Sequence, residues 1–237
     1  MITLEGLSLI EIDKALYRNI VSIRDSQDLY DDLSDDEADW ELAAATELAH
    51  KPMFYQSSQP IIDRPFEDAE LLQAIEFPFA HFSESRFSAG YFGVWYGSET
   101  LETTIFETTY HWYHGFLTDA GFQNLEGVIG ERRVHTVECK GALVNLIPKQ
   151  KDWIFLRDNN YIHCQQLGER LHREGFPGLW TLSARHQGNN AAVLKRDILS
   201  GGRVHCYLTY HFHAGKIHVY RDREHAPILE LDPNQSL

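Results

Sequence analysis

Cysteine, methionine and basic residues are scarce in this 237-residue chain, and long apolar runs are missing. The three cysteines, Cys139, Cys164 and Cys206, lie far apart, are odd in number and form no CxxC pair. That pattern excludes a disulfide framework and a zinc ribbon, and fits reduced thiols. No stretch approaches the roughly 18 apolar residues a membrane span needs. Met1 to Arg18 contains Glu5, Glu11 and Asp13 and lacks a basic start and an apolar core, so no secretory signal is expected. The expectation is a cytoplasmic protein with no membrane attachment. Lys and Arg number 21 against 35 Asp and Glu, a net charge of −14. A general nucleic-acid binder needs a basic face to neutralise phosphates, so direct nucleic-acid binding is not expected. A small basic pocket for an anionic ligand stays compatible with this charge. Neither GxGxxG nor a P-loop occurs, which removes the Rossmann and NTPase readings.

What is present is an ordinary globular balance, 43% hydrophobic and 24% charged residues. One domain over 1–237 is expected, with a core over about 16–220 and an acidic helical insertion over about 25–80. Ala15 to Ile23 reads as a strand. Ser34 and Glu37 have capping-box spacing and open a helix through Ala49, ended at Lys51-Pro52. Asp68 to Phe77 reads as a short helix before Pro78. Tyr91 to Tyr96 reads as a strand, and Ser98 as the N-cap of a helix over Glu99 to Tyr113. Leu101, Ile105 and Trp112 share one side of that helix, and Glu107 falls off the stripe. Arg133 to Ile147 reads as two strands about Lys140-Gly141. Asn160 to Glu174 reads as a helix, with Leu167 and Leu171 at i, i+4 and Gly175 just past its end. Strands follow at Gly178 to Leu182, Ala191 to Leu194, Val204 to His211 and Lys216 to Tyr220. The mixture implies α+β, with a mixed or antiparallel sheet core and flanking helices.

Several features invite chemistry and also have plainer explanations. There are 13 histidines. His111 and His114 are i, i+3 on a helix, and His211 and His213 share a strand face. Neither pair comes with an HExxH-type motif, so they read as packing or surface residues and no metal is expected. A metal-dependent hydrolase is the weakest of the readings weighed. Nine of the seventeen residues from Asp25 to Glu41 are acidic. This reads as a solvated face, with docking to a basic partner as the alternative. Ser183 lacks the GxSxG elbow of hydrolases, and His186 three residues on does not make a triad. By local pattern Ser183 is a serine at a strand end.

One constellation rises above this level. Arg86, Tyr96 and Glu107 fall on a loop, a strand end and a helix within 22 positions, and Ser183 closes a strand far downstream. The runs Ser85-Arg86-Phe87-Ser88-Ala89-Gly90, Val94-Trp95-Tyr96-Gly97-Ser98 and Leu101-Glu102-Thr103-Thr104-Ile105-Phe106-Glu107 resemble the RES domain family, named for its Arg, Glu and Ser. Trp180-Thr181-Leu182-Ser183-Ala184-Arg185-His186 resembles its serine motif, and Leu16-Tyr17-Arg18 the arginine-bearing strand that opens the domain. Ser88 and Gly97 stand where the family usually has Asn and Ala. The resemblance spans about Leu16 to Val219.

The resemblance implies the toxin half of a bacterial toxin–antitoxin pair, held in check by a helix-turn-helix antitoxin and often homodimeric. It implies an ADP-ribosyltransferase-like fold and NAD as substrate, cleaved by phosphorolysis or hydrolysis, with inorganic phosphate as a co-substrate in the first case and no bound cofactor. Arg86, Glu107 and Ser183 become the candidate catalytic residues. Arg18, Tyr96, Arg185 and His186 become candidate substrate-binding residues. The alternatives are a nucleotide- or protein-binding module without turnover, and a protein ADP-ribosyltransferase.

Overall fold

The structure, a computed structural model, describes residues 4–21, 72–118, 121 and 126–234. The expected Ser34–Ala49 helix, the acidic stretch and the loops at Pro52, Pro60 and Pro65 lie outside the described residues. Ten strands form the α+β framework: β1 (Ser8–Val21), β2 (Glu84–Ser85), β3 (Ser88–Ala89), β4 (Trp95–Ser98), β5 (Val128–Asn145), β6 (Gly178–Leu182), β7 (Asn189–Val193), β8 (Leu199–His213), β9 (Lys216–Arg221) and β10 (Leu229–Leu231). Two helices matter for the site, α1 (Leu101–Tyr110) and α2 (Ile162–Arg173).

Eight strands form one mixed sheet in the order β1-β4-β7-β6-β5-β8-β9-β10. β1 also pairs with β5 along its whole length, so β1, β4, β7, β6 and β5 close a ring. The β5–β6 contact is parallel, and the other pairings are antiparallel. Alternation along β1 and β5 sends Ile12, Leu16, Val137 and Cys139 to one side, where they pack with Trp95 and Trp180. α2 packs through Cys164, Leu167 and Leu171 onto Phe87, Val144 and Leu179. Burying a leucine such as Leu167 or Leu171 contributes on the order of 2 kcal/mol. α1 and the turn after it place Ile105 and Trp112 on Val134, Leu208 and Tyr210.

The structure corrects several sequence expectations. Arg133 to Asn145 lies within one 18-residue strand, and Ile147 begins the short helical turn that follows. Gly141 is not at a turn; it pairs with Ile12 in an unbroken ladder, and a Cβ there would meet Ile198 at 3.0 Å. Tight packing, not chain reversal, explains that glycine. β4 begins at Trp95, four residues after the expected start. The N-cap of α1 is Thr100, whose hydroxyl accepts from the Thr103 N–H, while Ser98 still belongs to β4. Past Tyr110 the helix continues in π form over His111–Leu117. A π-helical turn runs over Leu72–Glu76, followed by an α-helical turn over Phe77–Ala80. Pro78 is tolerated because it falls in the first turn of the α-helical segment Phe77–Ala80, where its missing N–H has no intrahelical partner to lose. The remaining strands lie where expected with shifted ends, β1 and β8 being much longer. α2 is shorter than expected, and Gly175 follows it at φ +83° with its N–H on the His172 carbonyl at 3.0 Å.

Candidate active site

A cavity of about 480 Å³ opens where β1, β4, α1, the β2–β3 hairpin and the 156–161 segment meet. Arg18, Arg86, Tyr96 and Glu107 all line it, so the fold brings together four of the seven residues singled out from sequence.

Arg86 sits at the tip of the hairpin between β2 and β3. Its Nη1 donates to the Leu156 carbonyl at 3.2 Å and the Asp158 carbonyl at 2.7 Å, and its guanidinium lies 4.5 Å from the Tyr161 ring centre. Those contacts fix the cation without neutralising it. The hairpin is pinned from two sides. The Tyr96 hydroxyl accepts from the Phe87 N–H at 3.1 Å and donates to the Ser85 hydroxyl at 3.0 Å. Burial pushes the Tyr96 phenol up to about 12, against the opposing pull of these hydrogen bonds and of Arg86, so it stays protonated. From the other side α2 packs so closely that a Cβ on Gly168 would lie 1.9 Å from the Phe87 carbonyl oxygen.

Arg18 reaches the cavity from β1. Its Nη1 donates to the Tyr96 carbonyl at 3.0 Å, and its guanidinium lies 5.6 Å from the Trp95 ring centre. Burial lowers its pKa to about 10, which leaves it charged at neutral pH. Gly97 lets β4 pass here, because a Cβ would fall 2.3 Å from the Trp95 ring. An alanine at that position needs a different tryptophan rotamer.

Glu107 projects from the middle of α1. Its Oε1 receives three donors: the Ser183 hydroxyl at 2.5 Å, the Asn190 side-chain amide at 2.8 Å and the Ala184 N–H at 3.2 Å. Among the described residues no hydrogen bond falls on Oε2. The carboxylate is thus held by one oxygen, with the other available to the cavity.

Ser183 is 1% exposed and does not line the cavity. Its hydroxyl donates to Glu107 and accepts from the Arg185 and His186 N–H groups, both at 3.0 Å. It therefore joins the β6–β7 turn to the carboxylate. Arg185 and His186 are outside the cavity lining as well. The Arg185 guanidinium lies 3.4 Å from the Tyr110 ring centre and donates to the side-chain amide oxygen of Asn159. His186 stacks on Phe106, and its Nδ1 accepts from the Gly188 N–H at 3.2 Å. These two side chains brace the turn that carries Ser183.

Sequence reasoning missed Asn190 and His111 as lining residues. His111 lies one helical turn beyond Glu107, and that i, i+4 spacing was the available signal. Its imidazole pKa is lowered by desolvation and by Arg185, Arg86 and Arg132, against the pull of Glu107. Asn190 had no local signal; only the pairing of β4 with β7 places it. Among the described residues no group of three or more His, Cys, Asp or Glu is placed to hold a metal ion. No described helix is long and apolar enough to cross a membrane.

Fold and site define an α+β protein whose cavity is lined by the Glu107 carboxylate and two fixed arginines. Residues 61–213 match the family model of the RES domain, well over half of the chain, and the chain belongs to the RES domain family. The match begins after Arg18, so only the fold joins that arginine to the family segment. Comparison with curated proteins finds no match. Among solved structures, the M. tuberculosis MbcT–MbcA toxin–antitoxin complex is similar at 12% identity and a TM-score of 0.43, over 83% of this chain and 86% of that one.

Proposed function

We propose that the protein is the NAD-consuming toxin of a toxin–antitoxin pair. In this reading it breaks the bond between nicotinamide and ribose and transfers ADP-ribose to phosphate or water. The observation that carries the reading is the one-sided clamp on Glu107 in a cavity shared with Arg18 and Arg86. Nicotinamide leaves NAD as a neutral molecule from a cationic ring, so no strong general acid is needed. Positive charge develops on the ribose instead, as in other glycosyl transfers. A carboxylate fixed in advance stabilises that charge without reorganising, and Oε2 is the atom able to meet the ribose.

The same cavity answers the charge of the dinucleotide. Its phosphates need local cations in a protein of net charge −14, and guanidinium groups suit bidentate phosphate contacts. The cavity volume falls in the usual small-molecule range. An ADP-ribosyltransferase-like arrangement, a homodimer, a helix-turn-helix antitoxin and a cytoplasmic setting complete the proposal, and rest on the family alone.

The test is purified protein incubated with NAD, with and without inorganic phosphate, followed by chromatography of the products. Nicotinamide release is expected, with ADP-ribose phosphate marking phosphorolysis and free ADP-ribose marking hydrolysis. Glu107→Ala is expected to lower the rate by about 10²–10³-fold while the protein stays folded. A variant that consumes NAD like wild type sinks the role given to Glu107.

A further inference from the structure

Ser98 and Asn190 stand directly opposite each other where β4 pairs with β7. Ser98 is also the β4 residue that pairs with Tyr17 of β1, so its backbone is held on both sides, and it is 4% exposed. Its hydroxyl lies 2.7 Å from Asn190 Oδ1, and Asn190 Nδ2 lies 2.8 Å from Glu107 Oε1. The direction of this chain follows from donor arithmetic. An ionised carboxylate only accepts, so the NH₂ end of the amide must face Glu107. The carbonyl end then faces Ser98, whose hydroxyl has to donate. With that hydroxyl removed, the Asn190 carbonyl loses its fixed partner, and the amide is held only through Nδ2 and can swing out of line with the carboxylate.

We propose that Ser98 is a positioning residue for the reaction, acting through Asn190 to hold Glu107 with Oε2 toward the bound ribose. Ser183 and the Ala184 N–H approach the same oxygen from the β6–β7 turn, whereas Asn190 approaches from the neighbouring strand. Two different elements therefore set the carboxylate, and the strand element depends on a serine that the sequence marked only as a helix cap. The proposal rests on the NAD-cleavage reading.

The test is steady-state nicotinamide release by the full chain and by Ser98→Ala, Ser98→Thr and Asn190→Ala, with a thermal melt of each. A charge-assisted hydrogen bond that matters mainly in the transition state appears in kcat. Asn190→Ala is expected to lower kcat by about 10–100-fold. Ser98→Ala should lower it by about tenfold, with KM for NAD within about twofold, and Ser98→Thr should restore most of the loss. Folded Ser98→Ala protein with wild-type kcat, or with only KM changed, overturns the proposal while NAD cleavage stands. Wild-type protein that releases no nicotinamide overturns NAD cleavage, and this proposal with it.

Discussion

Acid should weaken this fold through one histidine. His135 lies on β5 opposite Arg18 of β1 and is 0% exposed. Neither of its ring nitrogens has a hydrogen-bond partner among the described residues. Burial, then the charges of Arg133 and Arg18, lower its pKa from 6.5 to about 4. A proton added here is desolvated and faces cations, so the folded state holds the neutral ring. The unfolded chain takes up that proton near pH 6.5 and the folded chain does so only near pH 4. Between those values the unfolded state binds more protons, and stability falls as pH falls. The stabilisation is fully present above the unfolded pKa and is lost by the folded one. At 1.36 kcal/mol per unit the drop comes to about 3 kcal/mol, a large share of a typical domain's 5–15 kcal/mol. The assay is urea unfolding of wild type and His135→Leu at about pH 7 and about pH 4.5. Carboxylates titrate in both proteins and cancel in the comparison. Wild type should lose about 2–3 kcal/mol more than the variant across that interval. Equal losses would refute the reasoning, because His135 would then be solvated or paired in the folded state.

Other consequences follow from the site. Gly168→Ala drives a Cβ into the Phe87 carbonyl, which sits beside Arg86. It should destabilise the protein by about 1–3 kcal/mol in thermal or urea melts and slow nicotinamide release through the displaced hairpin. Ser183→Ala takes one donor from Glu107 and the acceptor from the Arg185 and His186 N–H groups, so stability should fall by about 1–3 kcal/mol together with kcat. Full activity in that variant would show that the Asn190 and Ala184 donors suffice. Tyr96→Phe leaves the Phe87 N–H without its acceptor and should cost about 1–3 kcal/mol, measured by urea unfolding.

Much of the site was legible before any tertiary structure. Arg86, Tyr96 and Glu107 lie close in sequence on three successive elements, so their order and spacing mark them even though each is ordinary alone. The apolar stripe of α1, with Glu107 off it, already separated the buried face from the face that meets the cavity. The i, i+4 leucines and the terminal glycine of α2 were equally readable, because helix periodicity and the left-handed residue at a helix end are local properties. Arg18 was marked by its motif, far upstream of the rest. Its position in the cavity depends on β1 closing the ring against both β4 and β5.

The remaining features are non-local, and that is why the sequence did not reveal them. Gly141 resembles a turn residue until its ladder partner Ile12 and its neighbour Ile198 are known. Ser98 resembles a helix cap until β7 arrives beside it and Asn190 takes its hydroxyl. Ser183 was found by motif, but its task was not, since only the closed turn shows the hydroxyl committed to Glu107. The sequence by itself determined the class, the elements and the identity of the charged groups. The tertiary structure alone decided which oxygen of Glu107 is held, which amide holds it and where the arginines meet. Hydrogen bonds between residues 76 to 92 positions apart depend on strand register and ring closure, and no local pattern encodes either.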